Sequence, residues 1–293
     1  MTDNESGSGT HSESIHNLPC RDKILDLSSP VVMGILNTTP DSFSDGGQFN
    51  TREAALARIS EMAAQGAVII DIGGESTRPG SEPVSVDEEL SRTIPIMKKG
   101  VEAHPDLLFS IDTTKYEVAK QALDAGAHII NDVSCLRKEP RFAELCSETD
   151  AAYICMHSQG DPKTMQDNPS YGNVEEDVLR ELMRAKVELH QKGVDNIIMD
   201  PGIGFGKTTE HNLQLIVNLP HLLQLNCPIL VGASRKSLIG KLLDGRPTDG
   251  RLAGTIALHY HCLLQGASIL RVHDVQEATD SIEIFKAVQR QIR

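Results

Sequence analysis

Short apolar runs rich in β-branched residues recur along this chain, and segments of helical period separate most of them. The runs are VVMGIL (31–36), AVIIDIG (67–73), LLFSID (107–112), HIINDV (128–133), AAYICMH (151–157), NIIMD (196–200), PILVGAS (228–234) and SILRVH (268–273). Each has the length and composition of a buried strand. Between them, stretches such as TREAALARISEMAAQ and VEEDVLRELMRAKVELHQK repeat their apolar residues at helical spacing. Alternating strands and helices predict a parallel sheet with right-handed crossovers.

A slower rhythm sharpens this. Gly66-Ala67, Gly126-Ala127, Gly193-Val194 and Gly266-Ala267 each stand between a helical segment and an even-numbered strand, at intervals of 60, 67 and 73 residues. That is about two βα units each time, and glycine just past a helix suits the left-handed cap position. The odd-numbered strands begin differently, in two cases at Pro30 and Pro228. The pattern favours an α/β fold of the closed (β/α)8 TIM-barrel type over an open doubly wound sheet. Such a barrel takes about 250 residues, so residues 21–293 read as one domain. The stretch before it, MTDNESGSGTHSESIHN, is dominated by Ser, Gly and acidic residues, which predicts a disordered tail over 1–20.

Composition narrows the class. Hydrophobic residues at 39% suffice for a soluble core, and no apolar run approaches the ~20 residues of a membrane span. The N-terminus lacks the basic start and apolar stretch of a signal peptide. A net charge of −13 argues against a nucleic-acid binder, because phosphate contacts dominate such affinity; a local basic pocket stays compatible. Six cysteines, at 20, 135, 146, 155, 227 and 262, show no C-x-x-C spacing. Free thiols in a reducing cytoplasm are expected.

The segment IIMDPGIGFGKTT (197–209) has the strand–loop–helix setting of a phosphate loop, with Thr208 or Thr209 as helix cap. The spacing is wrong, however: the motif needs glycine where Pro201 stands, and Gly202 is one residue late. Lys207 therefore reads as a loop or helix-start residue rather than a phosphate clamp. Chemistry points instead to the strand ends, where Asn37, Asp71, Asp112, Asn131, His157, Asp200, Ser234, Arg271 and His273 cluster. Barrel enzymes build their sites at this C-terminal face. His259-Tyr260-His261 does not suggest zinc, since residues two apart diverge on a helix.

These residues lie in motifs: GILNTTPDSFSDGG (34–47), GGESTRPG (73–80), SIDTTK (110–115), IINDV (129–133), MHSQGDPKTMQ (156–166), DPGIGFGK (200–207), GASRKS (232–237) and RVHDV (271–275). In order, from about residue 24 to 290, they resemble the dihydropteroate synthase family. The resemblance implies a cytoplasmic folate-pathway transferase that joins a pterin diphosphate to 4-aminobenzoate and releases diphosphate. It implies no nucleic-acid or membrane partner, a homodimer, and Mg2+ as cofactor. Sulfonamide sensitivity does not follow from the sequence.

Residue by residue, the resemblance assigns pterin binding to Asp112, Asn131 and Asp200, and the chemistry agrees. A carboxylate only accepts hydrogen bonds and meets the paired N–H groups of a pterin edge, while an amide suits a mixed edge. Lys236 is expected at the pterin carbonyl or ring nitrogen. Arg271 is expected flat over the ring, its edge donors free for phosphate. Arg271, His273, Thr77 and Asn37 are expected at the diphosphate, with Asn37 the protein ligand to magnesium, which keeps waters and phosphate oxygens for the rest. Thr77, Arg78, Pro79, Phe205 and Ser237 are expected around the aminobenzoate. Arg235 reads as a basic turn residue or a salt-bridge partner.

The aromatic amine nucleophile is largely neutral near pH 7, so a strong general base is dispensable. Catalysis then rests on Arg271, His273 and Lys236 together with the metal, which offset charge on the leaving diphosphate in a dissociative substitution with ordered binding. Segments 37–49 and 73–85 are long for βα connections, which suits mobile lids. Departures from the family pattern are Ser158 for a frequent methionine and Asn173 for a common aspartate. Two other readings are a pterin-binding methyltransferase barrel, which has no use for STRPG and RVHDV, and a catalytically silent barrel. Helix RLAGTIALHYHCLL (251–264) carries more apolar residues than one buried face needs, in keeping with a subunit interface.

Overall fold

A short antiparallel hairpin, β1 (Asn17–Cys20) with β2 (Lys23–Asp26), precedes a set of parallel strands alternating with helices. The computed structural model describes residues 16–39, 48–76, 81–160 and 169–292. The parallel strands are β3 (Val31–Asn37), β4 (Ala67–Gly73), β5 (Leu108–Asp112), β6 (Ile129–Asp132), β7 (Ala152–Met156), β8 (Ile197–Asp200), β9 (Leu230–Val231) and β10 (Ile269–Val272). They follow one another round a single sheet, with β10 pairing back onto β3. At the seam, Met199 of β8 bridges Ile229 in parallel and its N–H donates to Pro228 O at 2.9 Å. The sheet is thereby closed into the expected (β/α)8 barrel.

Each strand falls on its expected run, β3 reaching one residue past it to Asn37, but β9 has two residues where seven were expected. Pro228 has no N–H to give the ladder, and the chain past Val231 turns away. The four repeat glycines have φ of +95°, +103°, +84° and +96°, as the cap reading requires. Side-chain caps start three of the helices: Ser85 accepts from Glu88 N, Asn173 from Glu175 N and Glu176 N, and Thr208 shares a capping box with His211. Asn173, where the family often has aspartate, thus does the same capping work.

Strand parity separates two apolar layers. Met33, Ile69, Leu108, Ile129, Ile154 and Ile198 fill the lower lumen, while their neighbours Val32, Ile70, Phe109, Ile130, Tyr153 and Met199 pack outward under the helices. Continuing the inward register two or four residues along each strand gives Asp71, Asp112, Asn131, Asp200 and Arg271. Apolar filling therefore gives way to polar groups at the C-terminal end of the same lumen.

Two expectations need correction. The tail does not extend to residue 20: β1 lies within it, and Leu18, Cys20 and Leu25 of the hairpin are buried against the lower lumen. Residues 1–15 of that tail lie outside the described residues. Nor are all the thiols free. Cys135, in the turn after β6, and Cys155 of β7 form a disulfide with Cα atoms 4.9 Å apart, because adjacent strands bring together two cysteines whose sequence spacing gave no sign of it. Cys20, Cys146, Cys227 and Cys262 are buried thiols. No helix among the described residues is long and apolar enough to cross a membrane.

Candidate functional site

Arg271 organises the polar end of the lumen. Its Nε donates to Asp71 Oδ2 at 2.7 Å, and its Nη2 lies 2.6 Å from Asp71 Oδ2 and 2.7 Å from Asp112 Oδ2. Asn131 Nδ2 donates to the same Asp71 oxygen at 3.0 Å. β10, β4, β5 and β6 thus meet at one cluster, although Asp71 and Arg271 are 200 residues apart. Among the described residues, neither Asp71 Oδ1 nor Asp112 Oδ1 receives a hydrogen bond. These are buried acceptors with capacity to spare, which is costly unless a ligand supplies donors.

Asp200 ends β8 and is buried. Its Oδ1 accepts from Gly202 N at 2.7 Å, which turns the following loop tightly back. Gly202 has φ +67°, and a Cβ there would stand 1.8 Å from His157 O, so no other residue fits. The loop then presents Phe205, whose ring lies under Lys236 with Nζ 4.0 Å from the centroid.

Above this floor lies a cavity of about 400 Å3 lined by Asn37, Phe205, Lys236, Ser237, Arg271 and His273, among others. The structure therefore gathers those six expected residues round one space; Asp112, Asn131 and Asp200 do not line it, Asp112 and Asn131 joining it through the Arg271–Asp71 cluster. Thr77, Arg78 and Pro79 lie outside the described residues, as do parts of both long segments proposed as lids. Arg235 also lines the cavity, but its guanidinium is taken by Asp274: its Nε donates to Asp274 Oδ2 at 2.9 Å and its fork closes on the same carboxylate. Of the two readings given for it, the salt bridge is the one observed.

Burial sets the electrostatics. It pushes the Asp112 carboxyl up to about 7 against the pull of Arg271, with Asp71 adding to the rise. It raises Asp200 as well, opposed by the Gly202 N–H and by Lys236. Burial also works against the Arg271 charge, but Asp71 and Asp112 outweigh it and hold the guanidinium protonated. His273 is pushed down to about 4 by burial and by Arg271 and Arg235, so it is neutral at pH 7. Its Nδ1 is 3.0 Å from Ser234 Oγ, which already accepts the His273 backbone N–H. In the tautomer in which the hydroxyl donates to Nδ1, Nε2–H is the ring donor left for a ligand.

The arrangement is an acceptor-rich floor under a donor-rich rim. A flat, N–H-bearing heterocycle suits the floor, and an anionic arm suits Arg271, Lys236 and His273 above it. Sequence reasoning placed Asp71 among the strand-end residues without giving it work. Its signal was parity: two residues past Ile69, it had to face the lumen.

Comparison with known proteins agrees with this chemistry. Residues 33–273 match the pterin binding enzyme family. Over 265 residues the chain is 45% identical to a dihydropteroate synthase of Escherichia coli K12, covering 90% of this chain and 93% of that one. A Xanthomonas albilineans dihydropteroate synthase solved with 4-aminobenzoic acid superposes with a TM-score of 0.88 at 43% identity, covering 94% of this chain and 99% of that one. A structure of the Xanthomonas albilineans enzyme in complex with 7,8-dihydropteroate gives a TM-score of 0.84 at 41% identity, over 93% and 98% of the two chains.

Proposed function

Because the chain belongs to the family of pterin-binding enzymes, and within it to the dihydropteroate synthases, we propose that its cavity joins a pterin diphosphate to 4-aminobenzoate and releases diphosphate. It is a transferase of folate synthesis. The observation that supports the site assignment is the buried Asp112, bonded to the Arg271 that lines the cavity together with Lys236 and His273. The carboxylates accept the pterin N–H edge, Asn131 meets the mixed heteroatom edge, and Arg271 turns from Asp112 to lie over the ring. The pterin edge then supplies Asp112 with donors in place of the guanidinium.

The leaving diphosphate is met by Arg271, by the neutral His273 Nε2–H and by Thr77. Among the described residues no cluster of three or more His, Cys, Asp or Glu could hold an ion alone. The donor set here is one amide oxygen, Asn37 at the end of β3, which fits a magnesium ion that takes most of its ligands from phosphate and water. When bound, Mg2+ offsets negative charge on the departing diphosphate. The aminobenzoate lies against Phe205, with Ser237 donating to its carboxylate; Thr77, Arg78 and Pro79, expected round it, lie outside the described residues. The test is to mix the protein with pterin diphosphate, 4-aminobenzoate and magnesium and assay diphosphate. Release that depends on the aminobenzoate supports the reading; ligand binding without release favours a silent barrel.

Pterin affinity should depend on pH through Asp112. The carboxylate must be ionised to accept the pterin donors, and burial has moved its titration to about 7. Below that pH, binding has to expel a proton, so the dissociation constant should rise by up to about tenfold per unit. Calorimetry between pH 5.5 and 8 on the parent protein and on Asp112→Asn checks this. An equally steep slope in the variant would assign the titration to another group.

We assign a homodimer to the two C-terminal helices. Leu264 is 50% exposed, Ile284 61% and Val288 43%, an apolar set that solvent alone does not favour. Sedimentation of the parent should give a dimer and that of Ile284→Glu a monomer; a monomeric parent removes the assignment. We place the enzyme in the cytoplasm, where its folate-pathway role lies. Thiol titration of protein taken from cells tests whether Cys135 and Cys155 are joined there.

A further inference from the structure

Lys207 reads from sequence as a loop or helix-start residue, yet it is 2% exposed. Its Nζ lies 2.9 Å from His157 Nδ1 and donates to Gly202 O at 3.0 Å and Phe205 O at 3.1 Å, with a longer contact of 3.4 Å to His157 O. Behind it, His157 Nε2 is 3.3 Å from Glu181 Oε2. None of these direct partners of the ammonium is a carboxylate. Burial pushes it down to about 7, with Asp200 and Glu181 working the other way from a distance. A buried cation held by carbonyls is a poor way to gain stability, because an apolar side chain of similar length would fill the space without the desolvation cost. Its value has to lie in geometry.

The grip is on the loop that forms the cavity wall. Gly202 presses against His157 O, and a Cβ at Gly206 would stand 2.3 Å from Gln159 O, so the loop has no slack on that side. On that same side, next to His157, Lys207 holds the carbonyls at both ends of the Gly202–Phe205 turn. The Phe205 ring in turn carries Lys236 at 4.0 Å. We propose that Lys207 is a positioning residue for the second substrate: it sets the Phe205 ring. The proposal rests on the reading above in which Phe205 walls the aminobenzoate. Asp200 is anchored independently as the last residue of β8, whose ladder fixes its backbone. The pterin floor should therefore be less sensitive than the aminobenzoate wall.

The experiment uses Lys207→Met, which keeps length without donors, and Lys207→Gln, whose amide can still donate to a carbonyl. KM for 4-aminobenzoate is measured at saturating pterin diphosphate and magnesium, alongside Kd for a pterin alone and the melting temperature. Lys207→Met should raise the aminobenzoate KM about tenfold or more, as for a misplaced contact, and leave pterin Kd within about threefold. Lys207→Gln should recover part of the KM. Unchanged KM overturns the proposal, as does a parallel loss of both affinities with melting temperature, which would make Lys207 merely structural. Failure of both variants to fold overturns it too. The parent is assayed first: no diphosphate release there refutes the functional reading, whereas an active parent without the KM split refutes only the role of Lys207.

Discussion

Asp200→Asn should lower kcat/KM for the pterin substrate by roughly a thousandfold while leaving the fold as stable as before. The amide oxygen can still accept from Gly202 N, so the loop keeps its turn. Its Nδ2 then faces the pterin N–H groups, donor against donor. Losing one hydrogen bond to a charged group costs about 1.5–3 kcal/mol, and an unmade bond on the ligand adds a similar penalty, so a total near 4 kcal/mol is expected. Stability should not suffer, because burial has raised the Asp200 pKa and a neutral amide is cheaper to bury. Steady-state kinetics and a thermal melt separate the two effects. Near-parental kcat/KM would remove Asp200 from the pterin site.

Arg271→Met should do the opposite to stability. It strands Asp71 and Asp112, both buried, without their shared cation. Removing one side of such a buried cluster typically costs about 3–5 kcal/mol, and the cost should depend on pH. A carboxyl whose folded pKa lies above its unfolded value binds a proton in the native state that the unfolded chain has given up. Stability is then greatest below the unfolded value near 4 and falls as pH rises toward the raised one. Asp112 already stands at about 7 with Arg271 present, and without it should stand higher still. The variant should therefore come closest to the parent at pH 5 and differ most at pH 8 in denaturant melts. A deficit independent of pH would mean that the two carboxylates are not what Arg271 balances.

The barrel was legible because strands and helices announce themselves by period, and the glycine repeat added its own beat. The hairpin was not: residues 17–26 are too short to show a period and follow a polar run, so Leu18, Cys20 and Leu25 looked like the edge of a tail. Site residues were legible where several chemistry-bearing groups share a motif at a strand end, as Asp112, Asn131, Asp200, Lys236 and Arg271 do. What the chain could not display is pairing at a distance. Asp71 answers Arg271 from 200 residues away, and nothing in either neighbourhood names the other. Cys135 with Cys155, and Lys207 inside rather than outside, were hidden for the same reason. Each depends on which neighbour folding delivers.

The hairpin stopper at the N-terminal end turns the lumen into a cul-de-sac. With Leu18, Cys20 and Leu25 sealing one end, both reactants and both products must share a single doorway. With the pterin against Asp112 and Asp200, as proposed, it would have to enter before the aminobenzoate, and the finished pteroate would have to leave before a fresh pterin could follow. Traffic through that doorway, rather than bond breaking, then becomes a natural throttle on turnover.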